Sequence, residues 1–177
     1  MRAFIAIQIP RSMRSEIHRL AAAMSIPGMS AVPEDKMHIT LRFFEFVSEA
    51  QVDGIKSAMD RIKCRRFRAE VSGIGTFDSS MRVVFAGVAD NGESELLFNE
   101  LEAELKGLVP QCSGFRPQIT IARLKDPGLR NEAKKTIEEN RLSYLGGFTA
   151  SEIALVKSEL GKSGSRYTVL KETPLQP

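Results

Sequence analysis

The sequence predicts an α+β fold, internally duplicated, with two mostly antiparallel sheets, outer helices and a central cleft. Three observations predict it. Residues 37–42, Met-His-Ile-Thr-Leu-Arg, are nearly repeated 80 positions later within 117–123, Pro-Gln-Ile-Thr-Ile-Ala-Arg. Each copy follows a helical segment and a loop rich in Pro and Gly, and precedes a second helix and two strand-like runs. The chain has 177 residues, 42% apolar and 27% charged, so one domain spanning 1–177 with two pseudo-symmetric lobes is expected.

Residues 2–9 alternate and are rich in β-branched side chains, which predicts a first strand ended by Pro10. Over 12–24, Met13, Ile17, Leu20, Ala21 and Met24 recur at helical spacing. His18 lies off that stripe and is expected to be exposed. Pro27, Gly28 and Pro33 mark 25–36 as a loop that delivers the chain to a strand at 37–44. Ser48 and Gln51 form a capping-box pattern that opens a helix to about Ile62. The basic run 63–68 is expected at a solvated edge, with a phosphate-backbone contact as the sharper alternative. Strands follow at 67–74 and, after a turn at Asp78, Ser79 and Ser80, at 83–88, the latter expected to be well buried.

Asp90-Asn91-Gly92 turns between the halves. A helix over 93–106 places Leu96, Leu97, Leu101 and Leu105 inward and ends at Gly107. After Pro110, Gly114 and Pro117 comes the second copy of the repeated strand. Asp126-Pro127 starts a helix that reaches about Asn140, and Gly146 and Gly147 break the pattern. Residues 151–160 and 166–170 are two strands joined by Gly161-Lys162-Ser163-Gly164. Residues 174–177 form a loose tail.

Net charge is +3 and the pI is near 9.0, mildly basic and compatible with a polyanionic partner. No apolar run approaches the length of a membrane span. The start does not read as an export signal, so a cytoplasmic location is expected. Cys64 and Cys112 have neither metal spacing nor a disulfide framework, and both are expected as free packing thiols.

In a strand, residues two apart share a face. His38 and Thr40 therefore point one way over Ile39 and Leu41, and Gln118 and Thr120 do so over Ile119 and Ile121. Side by side, the two strands present four polar groups to one cleft. An imidazole exchanges protons near neutrality, and a Thr hydroxyl can hold a phosphate oxygen without adding charge. Two imidazoles flanking a phosphodiester would serve as acid and base. Two histidines without clustered carboxylates do not make a usual metal site. There is no P-loop, dinucleotide fingerprint or serine elbow.

With these motifs the chain resembles the 2H phosphoesterase family, and within it the RNA 2′,3′-cyclic phosphodiesterases, also called 2′-5′ RNA ligases. Five blocks carry the resemblance: residues 1–7, 33–43, 84–88, 115–123, and 158–160 with 166–170. It implies a bilobal duplicated fold and needs no metal or cofactor. It implies RNA 3′ ends bearing a 2′,3′-cyclic phosphate as partners, tRNA fragments among them, and a monomer. It assigns the first-motif His as proton donor to the leaving oxygen and the second as acceptor from the attacking water, opening the ester to a 2′-phosphate. His38 matches the donor; Thr40 and Thr120 match the phosphate holders. Arg42 and Arg123 follow the motifs and are expected with the two threonines among the phosphate-binding residues, although simple alternation puts Arg123 on the face opposite Thr120. Phe44-Glu45-Phe46 departs from the family, where a Gly usually follows.

The main departure is Gln118, in place of the second His. An amide does not titrate near neutrality. It can still hold a water by accepting one of its hydrogen bonds. Three readings stay open: a slowed phosphodiesterase with Gln118 positioning water; a silent module that binds phosphorylated RNA ends; or a chain in which Gln replaced a native His. Reversible 2′-5′ ligation is a further alternative.

Overall fold

The computed structural model describes residues 1–24, 27–77, 81–161 and 164–177. In order, the elements are β1 (Arg2–Gln8), α1 (Arg11–Ala23), β2 (Met29–Ala31), β3 (His38–Phe44), α2 (Glu49–Asp60), β4 (Phe67–Thr76), β5 (Val83–Ala89), α3 (Glu93–Glu104), β6 (Gln118–Leu124), α4 (Arg130–Glu139), β7 (Tyr144–Ala150), β8 (Glu152–Gly161) and β9 (Gly164–Pro174). The turn expected at Asp78, Ser79 and Ser80, the Lys162-Ser163 centre of the last hairpin and the start of the first loop at Ser25 lie outside the described residues.

Every strand pairing is antiparallel, in the order β7-β4-β5-β6-β3-β1-β8-β9. The strands form one sheet where two were expected; its halves are β7-β4-β5-β6 and β3-β1-β8-β9. They join through a single residue pair, Ile39 with Ile119, at the N-terminal ends of β3 and β6. Beyond that pair β2 takes over the same edge of β6, matching Met29 to Leu124 and Ala31 to Ala122.

Buried side chains from all four helices, such as Ile17, Ile55, Leu101 and Ile137, merge with strand residues such as Ile5, Ile39 and Ile121 into one core. The opposite sheet face carries a small apolar cluster made only of strand residues: Phe4, Ala6, Ala154 and Val156, with Tyr167 against it. The helices thus cover one face, and the other opens on the cleft.

Local sequence chemistry explains most boundaries. The capping box forms: the Gln51 N–H donates to Ser48 Oγ, and the Ser48 N–H donates to Gln51 Oε1. Asp126 accepts from the Gly128 N–H and opens a short 3-10 turn, Pro127–Leu129, ahead of α4. Several expectations are corrected. The loop before β3 contains β2 and a 3-10 turn, Glu34–Lys36, because the edge of β6 was available for pairing. Gly146 and Gly147 lie within β7 rather than breaking the chain. A Cβ on Gly147 would sit 2.7 Å from the Arg68 guanidinium, and Gly146 has φ +103° beside a bulge.

β5 is not buried on both faces: only Val84 and Ala86 are buried, as suits an antiparallel strand with one open side. Leu96 is exposed, and the inward face of α3 is made by Leu97, Phe98 and Leu101. His18 is half-buried, with Nδ1 2.9 Å from the Val32 carbonyl, and so ties α1 to the segment before β3. The tail is pinned. Leu175 is buried and donates to the Ser151 carbonyl, while Gln176 donates to Cys64 and accepts from Arg66. Cys64 and Cys112 are free, but Cys112 is exposed rather than packed. No helix among the described residues is long and apolar enough to cross a membrane.

Candidate active site

The pair Ile39–Ile119 sets the geometry of the repeated strands. In antiparallel register around it, His38 lies across from Thr120 and Thr40 across from Gln118. His38 and Gln118 are then diagonal neighbours, a relation that spans about 7–8 Å. That is room for one phosphate flanked from two sides.

Each strand carries one extra residue at the same place. Against β1, Thr40 pairs with Ala6 and Arg42 with Ile5, so Leu41 has no partner of its own. Against β5, Thr120 pairs with Phe85 and Ala122 with Val84, leaving Ile121 over. A bulge inverts the alternation beyond it. Phe43 and Arg123 therefore face the cleft, while Arg42 and Ala122 turn toward the helices.

Arg42 is accordingly not brought to the cleft. Its Nε lies 3.1 Å from Glu102 Oε1, an ion pair without hydrogen-bond alignment, with both side chains only about a tenth exposed. It also donates to the Pro110 carbonyl and stacks over Phe44. Glu102 accepts from the Cys112 N–H at 2.7 Å. Arg42 thus clamps α3 and the loop that feeds β6.

Beside the joint lies a cavity of about 530 Å³ lined by His38, Thr40, Thr120 and Arg123. Arg2, Lys36 and Lys125 also line it, and no carboxylate does among the described residues. Such a wall favours an anion. Reading along the sequence missed Arg2, Lys36, Phe43, Lys125 and Tyr167. The signal for Arg2 was its alternation with Phe4 on β1; the others depend on pairing between distant segments. The basic run 63–68 does not line the cavity. Its Lys63 and Cys64 N–H groups donate to the Glu100 carboxylate instead.

His38 is held on three sides. Its Nδ1 is 2.8 Å from the Lys36 carbonyl, a bond that requires Nδ1–H and leaves Nε2 to exchange protons. Its ring stacks on Phe4 at 4.5 Å and meets the Tyr167 ring edge-on at 5.8 Å. Burial lowers its pKa from the usual histidine value, and the Lys36 bond partly opposes this. Burial raises the Tyr167 phenol, against the pull of Arg123 and Arg2, so its hydroxyl stays a donor.

Gln118 is half-buried beside Gly87 of β5, and it adjoins the cavity without lining it. Its Oε1 is buried and has no hydrogen-bond partner among the described residues. A buried carbonyl oxygen in that state has acceptor capacity that a water can fill. No three His, Cys, Asp or Glu side chains among the described residues are grouped to hold a metal.

Comparison with known proteins follows the same lines. Residues 7–85 match the model of the LigT-like phosphoesterase family. The chain is 31% identical to an RNA 2′,3′-cyclic phosphodiesterase of Methanocaldococcus jannaschii, over 97% of this chain and 99% of that one. It is 35% identical to one of Aeropyrum pernix, over 90% and 95%. Its fold is similar to the crystal structure of TT0787 of Thermus thermophilus, with a TM-score of 0.82 and 27% identity, covering 99% of this chain and 98% of that one.

Proposed function

The chain belongs to the LigT-like phosphoesterase family, and from that premise we propose that it hydrolyses RNA 2′,3′-cyclic phosphate ends to 2′-phosphates. The observation that carries the reading is the convergence of His38, Thr40, Thr120 and Arg123 on one cavity with a cationic wall. The chemistry is general-acid catalysis by His38, with Gln118 positioning the water.

The cyclic phosphate sits between the two strands, with Thr40 and Thr120 donating to its non-bridging oxygens and Arg123 neutralising it. Water attacks phosphorus from the Gln118 side, the P–O3′ bond breaks, and His38 Nε2 protonates the departing O3′. The products are a 3′-hydroxyl and a 2′-phosphate, and the water's proton leaves to solvent. The buried Gln118 Oε1 supports a positioning role, since it can accept a hydrogen bond from that water. Phe43, beside Thr40 and with the Arg2 guanidinium 5.3 Å from its ring, offers the terminal base an aromatic face.

Lacking a titrating second group, the site runs about 10²- to 10⁴-fold slower than one with a base at position 118. The same absence favours the second reading, a silent module that grips phosphorylated RNA ends. The test is an oligoribonucleotide ending in a 2′,3′-cyclic phosphate. Slow formation of the 2′-phosphate, lost in His38→Ala, is expected. Tight binding with no turnover would overturn hydrolysis in favour of the silent module. A joined product on adding an RNA with a free 5′-hydroxyl would add 2′-5′ ligation.

A further inference from the structure

Beyond the cavity, β6 continues into a sheet face that the reaction does not use. Cross-strand registers place Gln118 beside Gly87, Gly87 beside Ser72, and Ser72 beside Tyr144. A second row runs from Thr120 to Phe85 to Gly75. All these residues lie on the cleft side, because Ile74, Val84 and Ala86 fill the buried side. At about 4.8 Å per strand, Tyr144 stands roughly 14 Å from Gln118. The floor between them is low: a Cβ on Gly87 would strike the Ser72 carbonyl at 2.7 Å, so no side chain fits there.

Three aromatic rings stand on this floor. The Phe85 ring lies over Gly75, where a Cβ would meet it at 3.0 Å, and Phe77 packs against it at 5.0 Å. Phe77 is 55% exposed and Tyr144 63%. Farther out, Arg68 lies over Gly147, with Glu70 beside it on the same face.

We infer that the open face of β7-β4-β5-β6 binds the single-stranded RNA that leads to the reacting 3′ end, with bases stacking on Phe85, Phe77 and Tyr144. The inference rests on the phosphoester reading of the cavity. Continuity carries it: Phe85 and Gly87 are the direct cross-strand neighbours of Thr120 and Gln118, so a strand leaving the cavity runs onto this face. On the opposite half-sheet Phe4, Ala6, Ala154 and Val156 form a small apolar cluster with Tyr167 against it, and the cavity wall there is formed by Ser158, Ser165 and Tyr167. Aromatic rings on an open antiparallel sheet are how single-stranded bases are taken without regard to sequence.

The test is equilibrium binding of a hexaribonucleotide ending in a 2′-phosphate, against a nucleoside 2′-phosphate, measured by fluorescence anisotropy and competition. The hexamer is expected to bind at least tenfold more tightly. Phe85→Leu, which keeps an apolar side chain over Gly75, and Tyr144→Ala are each expected to weaken hexamer binding about tenfold. Leu96→Ala, on exposed α3 surface, leaves it unchanged. Equal affinity for the two ligands in the wild type, or hexamer binding unmoved in both variants, overturns the inference. So does self-association that these variants abolish, since the face then joins two copies of the chain. Loss of cyclic-phosphate turnover with hexamer binding intact overturns the hydrolase reading alone. A nucleoside phosphate that binds and turns over while the hexamer gains nothing overturns this inference alone.

Discussion

In the proposed reaction His38 donates a proton, and its burial works against its protonation. Desolvation lowers its pKa below the ordinary 6.5, with the Lys36 carbonyl in partial opposition. A donor acts only while protonated, so kcat/KM is expected to fall as pH rises through that lowered value. Gln118 does not titrate, so no rising limb precedes the fall. The expected profile is a single descending limb with its midpoint below 6.5; a bell would reveal a titrating base and overturn the role given to Gln118. A bound phosphate favours the imidazolium, so the limb in kcat lies at higher pH than the limb in kcat/KM. Gln118→His is expected to raise the rate near neutrality about 10²- to 10⁴-fold and to add a rising acid limb. If steady-state kinetics show no gain from this change, the acid–base account of position 118 is wrong. That His38, Thr40 and Thr120 share one cavity was legible, because their side-chain chemistry and spacing of two are local properties.

At the scale of elements, two matched bulges decide which residues face the cleft. Plain alternation placed Arg42 with His38 and Thr40, and Arg123 away from Thr120. The extra residues Leu41 and Ile121 invert both, so Phe43 and Arg123 are the equivalent cleft residues. Arg42 instead joins β3 to α3. Arg42→Met leaves the Glu102 carboxylate buried without its cation and is expected to cost about 3–5 kcal/mol, measured by urea unfolding. Adding Glu102→Gln recovers part of that loss. If the single variant is as stable as the wild type, the clamp does not hold α3. The capping box is the opposite case, written fully in adjacent residues. Ser48→Ala is expected to cost about 1 kcal/mol in the same measurement, with the cleft unaffected.

At the scale of the molecule, the halves of the sheet share only the Ile39–Ile119 pair among the described residues, so ties elsewhere matter. The C-terminal segment is one, running between the ends of β4 and β8 through Leu175 and Gln176. Leu175→Ala empties a buried site and is expected to lower stability by about 2–3 kcal/mol. A melting temperature equal to that of the wild type would restore the loose tail that the sequence suggested. The sequence by itself determined the class of fold, the helices, the two repeated strands and the histidine between two threonines. Periodicity, capping and side-chain chemistry act over a few neighbouring residues. Tertiary structure alone decided that Arg42 leaves the cleft, that Arg123 enters it, and that Phe4, the Lys36 carbonyl and Tyr167 close around His38. Those outcomes depend on the register between strands far apart in the chain, and a shift of one residue there turns a side chain to the other face.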